Sequence, residues 1–300
     1  MKKSVLANIL LIASAFTLLS GCKKSEPVPV IVDTCTICNE SKQHIVDHTI
    51  AENEFDDVVY TVQFAMEKHE QNLTDTNVVL ERTKKALHPS DCWVRLREDT
   101  ILKEVIVVFD SAVCLDDQKA RIGNIRILYS DFYRNPGATF NVSFENYYVD
   151  GIGVSGTIFI ENNGYRADSS LLYNVTINNG AIKLPSNKVI DWSGTRKWLW
   201  KEGAATVVDY FDDIFEVYGE IDAKDRTGTN FKVMVTKSEA LIFDKESICP
   251  FLFTSRVPVS GVAEITKEDI TQTIDYGNST CDRTINIEQN NESETFLIPL

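Results

Sequence analysis

The sequence predicts a mainly β protein, an antiparallel meander, sandwich or curled sheet of about a dozen strands, preceded by an α-helical segment. Three observations predict it. Between Ile101 and Ile160 apolar and polar residues alternate with a period of two, which sends successive side chains to opposite faces of a strand. After Pro89 the dipeptides Asp150-Gly151, Asn163-Gly164 and Asn179-Gly180 read as turns, and Gly194, Gly203, Gly219, Gly228 and Gly261 punctuate the rest. Before that region the period changes, and Ile50, Phe55, Val58, Val59, Val62, Ala65 and Met66 fall on one stripe at helical spacing between Thr49 and Asn72.

Taken in order, residues 1–21 have the layout of a signal peptide, with Lys2 and Lys3 ahead of the apolar run Val5 to Leu19 and small residues after it. That run is too short to span a bilayer. Leu19-Ser20-Gly21-Cys22 resembles the lipobox of bacterial lipoproteins, in which cleavage precedes the cysteine and its sulfur is lipidated. Several acyl chains on Cys22 would hold the protein on a membrane as one chain would not. Residues 22–40 then read as a lipidated tether, extended by Pro27 and Pro29. Lys23 stands where inner-membrane lipoproteins of some bacteria carry Asp, so the expected destination is the outer membrane, with its periplasmic or outward side left open.

The formal net charge is −14, and it drops to −16 once Lys2 and Lys3 leave with the leader. Such a balance argues against nucleic acid and against a basic lipid-binding patch, and it favours solubility. Cys35 and Cys38, followed by His44 and His48, invite a zinc reading, but only five residues separate the two pairs. Zinc-finger pairs are set about a dozen residues apart. A structural disulfide suits an exported protein better.

Residues 41–88 form the expected helical segment, with a helix start near Asn53 among Glu52, Glu54, Asp56 and Asp57, and a second short piece over Asn77 to Leu87. Its apolar stripe should pack on the sheet. Residues 89–300 form the antiparallel β region, with Ile101 to Phe109, Gly123 to Tyr133, Ala138 to Asp150 and Val154 to Ile160 as neighbouring strands. In Ala138 to Asp150, Phe140, Val142, Phe144, Asn146 and Tyr148 should share one face.

Two parts of the sheet echo each other. Cys92, strands, Asp110 and Cys114 precede one further strand, and Cys249, strands, Asp275 and Cys281 precede another. Six cysteines remain beside Cys22. If each echo closes on itself, Cys92 pairs with Cys114, Cys249 with Cys281, and Cys35 is left for Cys38. The alternative joins the two echoes. At the same residues the chain resembles a family of β-rich lipoproteins of Bacteroidota. The likeness rests on Phe109-Asp110 with Cys114, Gly123-Asn-Ile-Arg-Ile127, Phe144 through Gly151, Val154-Ser-Gly-Thr157, Asp212-Asp213 before Gly219, and Asp275-Tyr-Gly-Asn278 with Cys281-Asp282. It covers roughly residues 90–300, and it departs from the family where Ser111 and Ser279 replace glycine. What the resemblance implies is an envelope location and a β-rich build, and it brings no catalytic residue.

All four histidines lie at or before His88, and no nucleophile-elbow, zinc-protease, phosphate-loop or dinucleotide pattern occurs. An enzyme is therefore not expected, and no cofactor. Asp209, Asp212 and Asp213, with Glu216, gather oxygen ligands of the kind calcium takes, without the regular spacing of a calcium loop, and Asp275, Asn278 and Asp282 make a second cluster. Trp192, Trp198 and Trp200 would make a flat sugar-binding platform if exposed on one sheet face. The expected function is that of an envelope binding module for a glycan or another protein. The other class is a lipid or lipoprotein carrier with an open apolar groove.

Overall fold

The computed structural model describes residues 42–74, 95–113, 119–206, 212–244, 257–278 and 284–298. One helix, α1 (Gln43–Thr74), precedes β1 (Arg95–Asp99), β2 (Glu104–Val113), β3 (Ala120–Tyr129), β4 (Thr139–Val149), β5 (Ile152–Tyr165), β6 (Leu171–Lys183) and β7 (Val189–Glu202). There follow β8 (Ile214–Lys224), β9 (Asn230–Val235), β10 (Leu241–Asp244), β11 (Ser260–Lys267), β12 (Ile270–Asn278), β13 (Thr284–Gln289) and β14 (Glu292–Leu297). All fourteen strands join one antiparallel sheet.

The sheet is a meander with one departure. Strands β1 to β8 pair in sequence order, and so do β11 to β14. Between them, β9 and β10 lie end to end in a single row. β9 pairs Gly219 to Lys224 of β8 and β10 pairs Ile214 to Val217, and each also reaches β11. A 3₁₀ turn, Lys237–Glu239, joins the two.

The inner face of the sheet wraps α1. Ile127, Phe140, Ile160, Tyr173, Trp200, Val217, Val233, Ile265 and Ile274 enter one core with Phe55, Val58, Val62 and Met66 of the helix. Among the described side chains of α1, only Asn72 and Leu73 are exposed, and the run from His44 to Asn53 and on to His69 is buried almost all round. A helix covered on one face by a sheet would keep a wet polar stripe. This one does not, because strands approach it from several sides.

Curling of this kind needs bends in the strands, and bulges supply them. Asn179-Gly180 is a bulge inside β6, and Gly164, with φ of 78°, lies within β5, so neither Asn-Gly dipeptide is a turn. The chain reverses instead at Arg166 to Ser170 and at Leu184 to Lys188. Asp150-Gly151 is the tight turn the sequence predicts. A Cβ on Gly180 would come within 2.3 Å of the Trp192 carbonyl and 2.8 Å of the Phe55 ring. Only glycine lets β6 approach both β7 and α1 so closely.

A bulge also reverses the expected faces of β4. Asn146 takes φ of 49° opposite Gly123, where an added Cβ would sit 2.0 Å from the Asn146 carbonyl oxygen. Past that point the parity changes: Tyr147 and Val149 are buried while Asn146 is exposed and Tyr148 half-buried. Three further expectations are corrected. The helix begins at Gln43, so Glu52, Glu54, Asp56 and Asp57 lie in its third and fourth turns and not at its start. Ile101 and Leu102 lie in the β1–β2 turn and not in a strand. The piece expected over 77–87, Cys22 and the six other cysteines all lie outside the described residues.

Candidate functional site

The polar residues of α1 form the densest array of charge in the interior. The helix carries Asp47, Glu52, Glu54, Asp57 and Glu67, all buried. At 3.6 residues per turn these positions point in different directions, so no single strand can serve them. Each meets a cation from a different part of the sheet's inner side. Asp47 meets Arg226, from the β8–β9 turn, at 2.6 Å, with the Arg226 backbone N–H donating as well. Glu52 meets Arg196 of β7 at 3.1 Å, and Arg196 also donates to the Gly219 carbonyl at 2.7 Å. Glu54 lies 3.4 Å from Lys119, Asp57 2.8 Å from Arg121 of β3, and Glu67 2.9 Å from Arg134, in the β3–β4 connection.

The three described histidines extend this seam at both ends. His44 Nε2 is 2.6 Å from Gln272 Oε1, and His48 Nε2 is 3.0 Å from the Tyr276 hydroxyl, both on β12. The His48 ring stacks on Trp192 at 5.6 Å, and its Nδ1 is 3.8 Å from Glu52. At the far end His69 Nε2 is 2.8 Å from the Tyr129 hydroxyl and its Nδ1 3.4 Å from Glu98 of β1. Glu98 also accepts from Asn72, while Glu70 accepts the Tyr133 backbone N–H.

Burial shifts the protonation of His44, His48, Asp47 and Glu54, since the charged form loses its water. It lowers the His48 imidazole to about 4 and lowers His44 as well. It raises Asp47 and Glu54, against the pull of Arg226 and Lys119 respectively. The seam thus holds His44 and His48 as neutral imidazoles beside carboxylates that depend on a delivered cation. Its groups are buried and face other groups of the same chain, an arrangement suited to fixing α1 in register inside the sheet.

The tryptophans do not form the expected platform. Trp192, Trp198 and Trp200 are 1%, 3% and 0% exposed, and they pack inward. Trp198 stacks on Phe243 at 5.9 Å and meets Tyr60 of α1 edge-on at 5.0 Å. Trp200 stacks on Phe215 and takes the Arg134 guanidinium over its ring at 4.7 Å. The area of an indole favours the core wherever its N–H finds an acceptor, and Trp200 Nε1 donates to Asp213 Oδ1 at 2.9 Å. That bond also separates the expected calcium ligands. Asp213 turns inward to Trp200, whereas Asp212 accepts from Thr206 Oγ1 at 2.6 Å. Asp209 and Asp282 lie outside the described residues. Among the described residues, no three His, Cys, Asp or Glu side chains are placed to hold a metal ion.

Sequence reasoning passed over the five cations of the seam. One of them carries a readable signal: Arg196 shares the alternation of Trp198 and Trp200, so a strand that buries the indoles must bury the guanidinium too. Bulges upset the same parity argument at Arg121. Neither a protein family, nor a curated protein, nor a solved structure matches the chain.

Proposed function

We propose that this chain is a lipoprotein of the bacterial outer membrane, anchored through Cys22, whose folded sheet is an interaction module for another component of the envelope. The anchor rests on Leu19-Ser20-Gly21-Cys22 behind an apolar run with a basic start. The module rests on one observation: α1 occupies the inside of the curled sheet, with its apolar stripe and its carboxylates both engaged. A carrier of lipid needs that volume for cargo. With the interior taken, recognition falls to the outer face and the sheet's margins. The burial of Trp192, Trp198 and Trp200 withdraws the support for a sugar platform built on them.

Native mass spectrometry of protein extracted from membranes separates the two classes. The module reading expects one polypeptide whose only lipid is covalent, on Cys22. One intact lipid held non-covalently per folded chain would establish the carrier instead. Cys22→Ala should accumulate as an unacylated precursor, and normal acylated mature protein from that variant would remove the anchor. Disulfides Cys92–Cys114, Cys249–Cys281 and Cys35–Cys38 belong to the same proposal. The two cysteine pairs bracket β1 and β2 and β11 and β12 in the sequence, far apart in the strand order, which supports closure of each on itself. A cross-linked peptide joining the 92–114 region to the 249–281 region of unreduced protein would refute it.

A further inference from the structure

The β1–β2 turn carries the most exposed aliphatic side chains of the described molecule. Ile101 is 92% and Leu102 62% exposed. Side by side at one turn, the two make a small exposed apolar patch. The turn that presents them is fixed: the Asp99 carboxylate accepts the backbone N–H groups of both Ile101 and Leu102 at 2.9 Å, and Lys103 follows with φ of 50°. The Lys103 ammonium donates to the Ser130 carbonyl at 2.6 Å, tying the tip to the end of β3. Leu73, exposed at the end of α1, borders the same end of the molecule, since its neighbour Asn72 donates to Glu98 of β1.

Shape and area identify the partner. The tip is a short turn between two strands, and two side chains cover far less than the ~800 Å² per partner that a stable protein interface requires. Shallow insertion into a bilayer needs no such area, because aliphatic side chains gain simply by passing the headgroup boundary and a lysine beside them can reach back to water. A bilayer is also at hand on the anchoring reading. The 20 residues between Cys22 and the helix start at Gln43 could span up to about 70 Å if fully extended. The 32-residue helix separating the tether's end from the tip is only about 48 Å long.

We infer that Ile101 and Leu102 form a second, shallow membrane contact that lays the folded unit on the bilayer to which Cys22 tethers it. This inference rests on the anchoring proposed above. The net charge, −16 without the leader, and the mixed charges around the turn, Arg97 and Lys103 beside Glu98, Asp99 and Glu104, assign the contact to the apolar layer of zwitterionic lipid and not to an anionic surface.

Depth-dependent quenching tests it. The full protein with Leu102→Trp is reconstituted in phosphatidylcholine vesicles whose acyl chains carry bromine, beside a Tyr165→Trp control at an exposed position. The chain's own tryptophans emit too, so each spectrum is read as the difference from wild type; the expected difference is a blue-shifted emission from the indole at 102 that brominated chains quench, with neither effect at 165. Emission at 102 that stays at the water-exposed wavelength and unquenched overturns the inference. So does a blue shift without quenching, which would mean that protein covers the turn. Acyl mass on the Cys22 peptide of the same sample reads the anchor separately. A missing acyl chain removes the anchoring reading, while the quenching at 102 still decides the contact.

Discussion

The carboxylates on α1 and those on the outside of the sheet are the same chemical groups in opposite circumstances. On the outside, Asp168 accepts from the Ser170 hydroxyl and the Lys201 ammonium while standing in water, and these bonds hold it below the usual carboxylate range. Inside, Asp47 and Glu54 are pushed above that range by burial, although each has its own cation. An exposed carboxylate loses little by lacking a partner. A buried one has exchanged its hydration chiefly for a guanidinium or ammonium, and is left desolvated if that cation goes. The charges on α1 therefore specify where the helix sits more than they add to its stability.

The most severe way to break the contrast is to remove one inner cation. Arg196→Ala leaves Glu52 buried without its partner and should cost about 3–5 kcal/mol in urea unfolding. Replacing both members, with Glu52→Gln and Arg196→Met together, should cost clearly less than Arg196→Ala alone. If the single variant unfolds with wild-type stability, the inner pairs do not hold the helix.

Acidity probes the same region with the sign fixed by burial. His48 is neutral in the folded protein, with a pKa near 4 against 6.5 for the free side chain. Its contribution is fully present above pH 6.5 and is lost as the pH falls through 4, because the unfolded chain then binds the extra proton. The full loss is about 3 kcal/mol. Asp47 and Glu54 act in the reverse sense, since raised carboxylates take up protons more readily when folded. Comparing wild type with His48→Gln from pH 7 to pH 4 isolates the histidine. The stability difference should move toward the variant on acidification, and parallel curves would contradict the assignment.

Outer carboxylates should respond weakly. Asp99→Ala removes the acceptor of two backbone N–H groups in the β1–β2 turn, which are free to bond water instead. The expected loss is about 1 kcal/mol. It should appear in the melting temperature together with faster amide exchange at Ile101 and Leu102. Lys201→Ala removes the partner of Asp168 at the surface, and its melting temperature should match that of wild type. A clear destabilisation there would erase the distinction between the two sets of acids.

By itself the sequence determined what depends on neighbours along the chain. Alternation over 101–160 specified strands, helical spacing of Phe55, Val58, Val62 and Met66 specified α1, and Leu19-Ser20-Gly21-Cys22 supplied the grounds for an anchor. Only the tertiary structure decided which side of each element meets water. Fourteen strands curl far enough to surround a helix, and no local pattern announces closure on that scale. For this reason the acids of α1 read as a helix start and Asn179-Gly180 as a turn, while the indoles read as a platform if exposed and as core if buried. Each reading was locally sound. Curvature reversed them, because bulges shift parity along a strand and a wrapped helix has no outer face, so burial follows from the whole sheet's path and not from the residues beside it.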